Sequence, residues 1–392
     1  MDSPLLPDAR ALRPDLVAWR RHLHMHPELA YQETATAAFV RERLAALGLE
    51  ASPPMAGGTG LTCTIRGLDD GPTIALRADM DALPIPEDSS APYASTKPGV
   101  AHLCGHDAHT TMLVGAGALL ARHRPERGHV RLLFQPAEED GAGAARMIED
   151  GALDGVAAIY ALHVDPRTPV GHTGVTVGPV NAAADTIAIE VVGAGGHAAY
   201  PHLSVDAVAV AAQVVTAIQH VVSRHSDPLQ PLVVTIGTIH GGFASNVIAP
   251  SVRMTGTVRT FDPELRAAMP ARLERVIQGV AAAHGASATL DYRFGYPATV
   301  NDGCLLPAFE ASSAAVMGEG RHARFAPTMG AEDFAYYAQR VPGMIARLGV
   351  RNEALGFTHP LHHPRFDLDE DALPLGAALL ADVATRWLAA RA

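Results

Sequence analysis

Short apolar runs alternate with helical segments through the first third of the chain. Leu61–Ile65, Thr73–Leu76, Val130–Phe134 and Val156–Leu162 predict strands, and the last two are short apolar runs typical of strands buried on both faces. His106–Arg122 predicts a helix, because apolar residues recur along it at helical spacing. Strands that alternate with helices in this way predict an α/β domain with a mostly parallel sheet.

The pattern changes near residue 184. Asp185–Val192 alternates apolar and polar residues and predicts a half-buried strand. Ser204 is a candidate N-cap for a helix that runs to about Val222, and Asp262 followed by Pro263 predicts the start of a second helix. Three further strands are predicted at Leu232–His240, Val252–Thr260 and Ala288–Phe294. The resulting order, β-α-β-β-α-β, is that of a ferredoxin-like unit.

Mixed α/β character returns after this unit. Met344–Gly349 predicts a strand, and a terminal helix is predicted from Asp369 onwards. A chain of 392 residues also exceeds the size at which one hydrophobic core usually divides into two. We therefore expect one α/β domain formed by residues 1–183 and 296–392, with a second, ferredoxin-like domain inserted at 184–295.

Charge and composition restrict the possible partners. The formal net charge is −11 and runs of basic residues are few, so we expect no nucleic-acid partner. Met1–Arg20 lacks the pattern of a signal peptide, and no stretch of about 18 unbroken apolar residues predicts a membrane span. Cys63, Cys104 and Cys304 are odd in number and far apart, which favours a reducing compartment, by default the cytoplasm.

Metal-ligand residue types follow several of the predicted strands, and in a parallel sheet the carboxyl ends of the strands meet where ligands gather. These residues are Asp79 and Asp81, the pair Glu138 and Glu139, His163, Cys104 with His106 and His109, and the pair His362 and His363. Each alone has an ordinary interpretation, such as a buried histidine that only hydrogen-bonds in the core. Together, thiolate, imidazole and carboxylate groups predict a divalent-metal site. The adjacent carboxylates also allow one to bind metal while its neighbour acts as a base.

A series of motifs gives the chain a resemblance to a known enzyme family. They include RADMDALP (77–84), HLCGHDAHT (102–110), FQPAEE (134–139), GGHAAYPH (195–202), SNVIAP (245–250), GTVRT (256–260), MGAEDFAYY (329–337) and LHHPRFDLDE (361–370). The sequence resembles the di-metal aminoacylase and carboxypeptidase family, and within it the branch of hippurate hydrolases and auxin-amino-acid amidohydrolases. The motifs cover nearly the whole chain in the order of that family.

The resemblance implies a metal-binding catalytic domain with two divalent ions per subunit, for which zinc, manganese, cobalt and nickel are candidates. The ligands that it implies are Cys104, which bridges the two ions, and His106, Glu139, His163 and His362. Glu138 matches the general acid/base, and Asp81 matches a carboxylate that orients part of the site. Asp79 stands where other branches have a metal-binding histidine, and we leave it out of the ligand set.

The resemblance also implies that the inserted domain is a lid and the dimerisation domain of a homodimer. His197 matches a residue that reaches the partner subunit's active site and stabilises the oxyanion, and Asn246 and Arg259 match groups that hold the substrate carboxylate. Ordinary interpretations remain open, with His197 as a loop cap and Arg259 as the partner of an acidic neighbour. The chain departs from many relatives at Ala108, where they have glycine, and at His363, where they have serine.

These observations predict a metal-dependent amidohydrolase that cleaves the amide bond of N-acyl amino acids, hippurate-like or N-acetylated, to a carboxylate and a free amino acid. The alternative is a dipeptidase or a biosynthetic N-acetyl-amino-acid deacetylase on the same two-metal site. A cysteine hydrolase that uses Cys104 and His106 without metal is a further alternative, as is a non-catalytic metal-binding relative. Glu138 argues against the last of these, because a protein that only binds metal needs no base beside its ligands.

Overall fold

The computed structural model describes residues 3–391 and shows two compact units. The second unit comprises Pro179–Thr299 and Pro327–Glu332, and the first contains the rest of the described chain. The segment Pro327–Glu332 lies in the part of the sequence that we assign above to the first domain. It joins the second unit through backbone hydrogen bonds, such as the one that Thr328 N donates to Val180 O at 2.9 Å. Bonds between such distant positions leave no local sequence pattern.

Helices and strands alternate along most of the described chain. The helices are α1 (Leu6–Ala11), α2 (Arg13–Met25), α3 (Thr34–Ala46), α4 (His106–Arg122), α5 (Gly143–Glu149), α6 (Ala207–Arg224), α7 (Pro263–Ala283), α8 (Leu306–Met317), α9 (Ala335–Ala338) and α10 (Ala372–Ala389). The strands are β1 (Leu61–Arg66), β2 (Asp69–Asp79), β3 (Arg127–Gln135), β4 (Val156–Pro169), β5 (Thr173–Gly174), β6 (Gly178–Asn181), β7 (Ala183–Val192), β8 (Gly196–His197), β9 (Leu232–Gly241), β10 (Val247–Ile248), β11 (Ser251–Thr260), β12 (Ser287–Tyr296), β13 (Thr299–Asn301), β14 (His322–Ala323) and β15 (Gly343–Arg351).

A seven-stranded sheet forms the centre of the first unit, in the order β1-β3-β2-β4-β15-β5-β14. The central neighbours β3, β2, β4 and β15 run parallel, whereas β1 pairs antiparallel with β3 and β5 pairs antiparallel with β15. The mostly parallel sheet expected from the sequence is therefore confirmed. The carboxyl ends of β3 and β2 lie side by side, and β4, which is paired with β2 up to Ala161, continues past them to Pro169.

Helix α4 is buried along nearly its whole length, since residues 106–120 are all buried and the helix packs against β2, α2 and α10. Gly115 allows the close approach of two of these neighbours. A Cβ atom at this position would lie 2.7 Å from Cδ2 of Leu16 and 3.0 Å from Cβ of Ala377. The packing fixes the first turn of α4, which begins at His106, against the sheet.

The second unit contains a four-stranded antiparallel sheet in the order β12-β7-β11-β9, with a core formed by the sheet, α6 and α7. The predicted β-α-β-β-α-β order is confirmed. Asp262 caps α7 as predicted, because its side chain accepts a hydrogen bond from Leu265 N at 2.6 Å. The predicted cap of α6 is wrong: Asp206, not Ser204, accepts hydrogen bonds from the first turn. Ser204 has an extended backbone after the short turn Pro201–Leu203 and lies too far from the helix.

Two of the described helices, α6 and α10, are long and apolar enough by length and composition alone to cross a membrane, each with a mean hydropathy of 1.2. In α10, 78 % of that stretch is buried within the protein. In α6 the share is 33 %, and the apolar side of the helix packs in the core of the second unit. Core helices pass the same test, so these two helices are weak evidence for a membrane span.

Candidate metal centre

The chain brings its candidate ligands together where two neighbouring strands end beside a third that continues past them. β2 ends at Asp79, β3 leads through Gln135 into the turn that carries Glu138 and Glu139, and β4 carries His163. β4 does not end before His163 as the sequence suggests, because β15 extends the pairing along it to Pro169. Parallel strands that are adjacent in a sheet place the residues at their ends close together, and the first turn of α4 adds its own side chains from the same side.

The side chain of Cys104 lies between two groups of candidate ligands. Its Sγ is 3.6 Å from Nε2 of His163 and 3.4 Å from Nε2 of His362. Ligand atoms of Cys104, His106 and His163 lie within 4.8 Å of one another, and so do those of Cys104, Glu139 and His362. Cys104 therefore belongs to both groups.

The donor atoms of this cluster fit a divalent metal. Nε2 of His106 and Oε1 of Glu139 are buried and have no hydrogen-bond partner among the described residues. His106 donates from Nδ1 to the carbonyl of Asp81 at 2.9 Å, and His163 donates from Nδ1 to the carbonyl of Val164 at 2.8 Å. These bonds leave an Nε2 lone pair on each ring, which is the usual arrangement of a metal-binding histidine. Buried atoms without partners are costly unless a ligand such as a metal satisfies them.

The electrostatics of the cluster favour a bound cation. Burial, and after it the charge of Glu139, raises the pKa of the Cys104 thiol. Burial lowers the pKa of His163, so that its ring stays neutral and able to bind metal. Burial also opposes protonation of His106, but the negative charges of Asp79 and Cys104, together with hydrogen bonds to Asp81 and Cys104, raise the pKa of this histidine. A divalent ion at the cluster would compensate the negative charges of Glu139 and of a Cys104 thiolate.

His362 is held in a strained backbone conformation. Its φ is 63°, in the left-handed region that residues other than glycine adopt at a cost of about 1–3 kcal/mol. Its backbone N–H donates to the carbonyl of Leu103 at 2.7 Å, which ties it to the segment that carries Cys104. Strain that the surrounding structure enforces is common where a side chain must be aimed at a functional site.

Asp81 orients the turn that carries Glu138 and Glu139. Its Oδ1 accepts a hydrogen bond from Glu138 N at 3.0 Å, and its Oδ2 accepts one from Glu139 N at 2.9 Å. A carboxyl oxygen of Glu138 accepts a further bond from Asp333 N at 3.3 Å. Ligand atoms of His106, Glu138 and Glu139 lie within 4.8 Å of one another, so the carboxylate of Glu138 reaches the cluster without being part of the Cys104 groups.

The remaining predicted residues lie in the second unit. His197 and Asn246 are brought together, because β8 pairs with β10 and Ala198 N donates to the carbonyl of Asn246 at 3.0 Å. The His197 ring is exposed, and its Nδ1 accepts a hydrogen bond from Ala199 N at 3.0 Å, as a loop cap does. Its other nitrogen, Nε2, is not used in this turn.

Arg259 lies on β11 and is half-buried. Within residues 3–391 its guanidinium forms no hydrogen bond and no ion pair. Burial lowers its pKa, and attraction from Asp185 opposes that effect. The carboxylate of Asp185 is itself bound by Arg266 at 2.6 Å and by the hydroxyl of Tyr292 at 2.8 Å. The acidic neighbour considered in the sequence analysis therefore has other partners.

Comparison with known proteins assigns the chain to a family. Residues 75–386 match the sequence profile of Peptidase family M20/M25/M40, which is most of the chain. The chain belongs to this peptidase family. The M20/M25/M40 assignment confirms the resemblance inferred from the motifs, and it makes this chain a metal-dependent hydrolase.

Relatives of this M20 chain match it over nearly its full length. N-acetylcysteine deacetylase of Bacillus subtilis (strain 168) is 42 % identical, with 96 % of this chain and 97 % of the relative covered. IAA-amino acid hydrolase ILR1-like 4 of Arabidopsis thaliana is 40 % identical, with 96 % and 88 % covered. The crystal structure of a dinuclear metal-binding M20 peptidase from Bacillus subtilis superposes with a TM-score of 0.85 at 37 % identity, with 97 % and 99 % covered. These matches confirm the fold class predicted from the sequence.

Sequence reasoning missed the residues of this M20 chain that hydrogen-bond to the segments next to the candidate ligands. Glu33 is fully buried, and its Oε1 accepts a hydrogen bond from Ala137 N at 2.9 Å. Ala137 has a φ of 55°, so this bond holds a strained residue directly before Glu138. Arg77 donates to Asp333 at 2.9 Å from the interior of the sheet. The available signal for Arg77 was a charged residue directly after a predicted strand, whereas nothing in the sequence pointed to Glu33.

Proposed function

We propose that this chain hydrolyses the amide bond of N-acyl amino acids, hippurate-like or N-acetylated, to a carboxylate and a free amino acid. The proposed ligands of two divalent ions (zinc, manganese, cobalt or nickel) are Cys104, His106, Glu139, His163 and His362. The observation that carries the proposal is the position of the Cys104 thiol, 3.6 Å and 3.4 Å from two histidine nitrogens and in one group with the carboxylate of Glu139. When bound, the ions would lower the pKa of water to about 7 and polarise the acyl carbonyl.

Glu138 is the proposed general acid/base. A carboxylate beside the attacking water takes its proton and later delivers it to the departing amino group. Asp81 supports this role, because it binds the backbone N–H groups of both Glu138 and Glu139 and so fixes the two carboxylates relative to each other. The two residues therefore have separate proposed tasks, Glu138 in proton transfer and Glu139 in metal binding.

The second unit supplies the proposed substrate contacts. Arg259 binds the α-carboxylate of the substrate with Asn246, and His197 stabilises the oxyanion. The support for Arg259 is that, within the described part of the chain, its half-buried guanidinium has no partner of its own. An arginine suits this role, since it is always charged and presents two parallel donors to a carboxylate.

The proposed assembly is a cytoplasmic homodimer formed through the second unit, with His197 acting in the site of the partner subunit. β9 is an edge strand of its sheet, and edge strands offer unpaired backbone groups to a partner. Apolar side chains along and beyond it are exposed, among them Ile239 at 51 % and Phe243 at 80 %. The free cysteines Cys63, Cys104 and Cys304 support a reducing compartment. We propose no nucleic-acid or membrane partner.

A deacetylase that prefers N-acetyl amino acids is the second candidate. The observation that favours it is the 42 % identity to N-acetylcysteine deacetylase of Bacillus subtilis. The 40 % identity to the IAA-amino acid hydrolase of Arabidopsis thaliana favours bulkier acyl groups instead. The two candidates share one site and one reaction, and they differ only in the acyl group.

The experiment is hydrolysis of N-acetyl, N-benzoyl and longer N-acyl derivatives of several amino acids, by metal-free protein reloaded with each of the four metals in turn. Dipeptides and substrates with an amidated carboxylate serve as controls. We expect activity that requires metal and a free carboxylate. Activity that survives complete chelation would refute the proposal and favour a cysteine hydrolase, and faster cleavage of dipeptides would favour a dipeptidase.

A further inference from the structure

His109 lies on α4 near the candidate ligand His106, and both of its ring nitrogens are engaged. Its side chain is buried, with Nδ1 2.6 Å from Oδ1 of Asp79 and Nε2 2.9 Å from the backbone N of Val164. A carboxylate only accepts hydrogen bonds, so Nδ1 carries the proton. A backbone N–H only donates, so Nε2 is the acceptor. The geometry therefore fixes one neutral tautomer.

This arrangement removes His109 from the possible metal ligands. Atoms of Asp79, His106 and His109 lie within 4.8 Å of one another, which on distance alone is a further metal-binding group. However, the Nε2 lone pair of His109 is used by Val164 N, and its Nδ1 is protonated. Both oxygens of Asp79 are also used, since Oδ1 accepts from His109 and Oδ2 accepts from Nη1 of Arg77 at 2.7 Å.

The far end of this chain of hydrogen bonds is the peptide that follows His163. Val164 N, which donates to His109, belongs to the peptide bond between His163 and Val164. The carbonyl of Val164 in turn accepts the hydrogen bond from Nδ1 of His163. Gly105 confirms how closely this segment approaches α4, because a Cβ on Gly105 would lie 2.4 Å from the Val164 side chain. A shift of the peptide between His163 and Val164 would move Val164, whose carbonyl holds Nδ1 of His163, and would therefore turn the His163 ring.

We propose that His109, held in a single tautomer by Asp79, is a positioning residue that fixes the His163–Val164 peptide and thereby aims Nε2 of His163 at one of the two metal ions. The inference rests on the proposed metal-binding function of this cluster. It assigns a role to Asp79, whose carboxylate orients His109 and is itself held by Arg77. Groups that orient a metal ligand through hydrogen bonds, without touching the metal, typically contribute about 10- to 100-fold in metal affinity.

Two amide variants separate the two hydrogen bonds of His109. In His109→Asn, the shorter side chain can keep a donor near Asp79 but cannot reach Val164. In His109→Gln, the longer side chain can offer its carbonyl to Val164 N but gives up the donor to Asp79. The surface pair of His123 and Asp8, 2.7 Å apart, provides a matched control, and His123→Asn should change nothing.

The measurement is metal affinity and stoichiometry of metal-free protein, titrated with zinc in competition with a chromophoric chelator. We expect His109→Asn to lower the affinity for one of the two ions by about 10- to 100-fold and to leave the affinity for the other unchanged. In His109→Gln both affinities should stay within a few-fold of those of wild type. Wild-type affinity for both ions in His109→Asn, or equal losses in the two variants, would overturn the inference. Failure of wild type to bind two ions would instead count against the proposed function.

A second measurement does not depend on the stability of the variants. Long-range ¹H–¹⁵N correlation spectra of the histidine rings distinguish the Nδ1–H tautomer from the Nε2–H tautomer in metal-free wild type. The resonance of His109 is assigned in wild-type protein from the through-space contact of its ring with the amide proton of Val164. The Nδ1–H form is expected, and an Nε2–H or doubly protonated ring would overturn the inference even if every variant failed to fold.

Discussion

The buried carboxyl group of Glu33 should make the stability of the first unit fall as the pH rises from about 4.5 to about 7. Burial, with the nearby charge of Asp81 adding to it, raises the pKa of Glu33 from its ordinary value of 4.5 to about 7. Oε2 of Glu33 has no hydrogen-bond partner among the described residues, and hydrogen bonds such as the one from Ala137 N to Oε1 lower the pKa by less than burial raises it. Between the two pKa values the folded protein holds a proton that the unfolded chain has released.

The sign and the magnitude follow from proton linkage. Because the folded state binds more protons than the unfolded state in this window, the free energy of unfolding decreases as the pH rises and becomes level above the folded pKa. A pKa difference of about 2.5, at about 1.4 kcal/mol per pH unit, amounts to a loss on the order of 3 kcal/mol. In Glu33→Gln the titrating group is absent, and the amide oxygen can still accept the hydrogen bond from Ala137 N.

The assay is urea unfolding of metal-free protein at several pH values between 5 and 8, followed by tryptophan fluorescence. Both tryptophans of the chain, Trp19 and Trp387, lie in the first unit, so the signal reports the unit that contains Glu33. Relative to wild type, Glu33→Gln should gain roughly 3 kcal/mol between pH 5 and pH 8. Glu319→Gln, at an exposed position of the same unit, is the control and should follow wild type. Parallel pH profiles for wild type and Glu33→Gln would refute the reasoning.

Three further predictions concern the candidate site. Glu138→Gln should keep both ions while kcat falls by about 100-fold or more, and Glu139→Gln should lose metal, as determined by metal analysis and steady-state kinetics. Cys104 should resist alkylation in the metal-loaded enzyme and react after chelation with loss of activity, as followed by mass spectrometry, because a coordinated thiolate is protected. Arg259→Ala should lower kcat/KM by at least about tenfold for an N-acyl amino acid and have little effect on the amidated analogue.

The chain provides internal controls for the last two experiments. Cys304 is exposed and should be labelled in both states, whereas Cys63 is buried with its pKa raised to about 11 and should be labelled in neither. Arg253 lies on the same strand as Arg259 with an exposed side chain, so Arg253→Ala should behave as wild type. Full activity in Glu138→Gln, activity after chelation, or equal loss on both substrates in Arg259→Ala would each contradict the assignment concerned.

Local sequence pattern predicted most of the fold, because apolar periodicity and capping residues act over short distances. The helix His106–Arg122 was predicted at its observed bounds, and Asp262 was identified as the cap of α7. The pattern failed where tertiary contacts decide. β4 continues past His163 only because β15 pairs with it, and Ser204 has the residue type of a cap but not the position of one.

For the candidate site, sequence and structure contributed different residues. Ligand types such as Cys104 and His163 could be selected from the sequence because they follow predicted strands, and the structure brings them together. The supporting residues could not be selected, since their role depends on contacts between distant positions. Glu33 meets Ala137 across 104 residues, and His109 meets Val164 across 55. No periodicity or spacing encodes a hydrogen bond of that kind.

The short return segment Pro327–Glu332 has a consequence for recombining members of this family. A chimaera that exchanges only the long continuous insertion would take Val180 and Thr299 from one parent and residues 327–332 from the other. The bonds from Thr328 N to Val180 O and from Thr299 Oγ1 to Glu332 O, at 2.9 Å and 3.1 Å, would then join backbones of different origin. Crossover points should therefore be chosen as two pairs, one around the long insertion and one around residues 327–332. Libraries that exchange the long insertion alone should yield fewer folded hybrids than libraries that exchange both segments together.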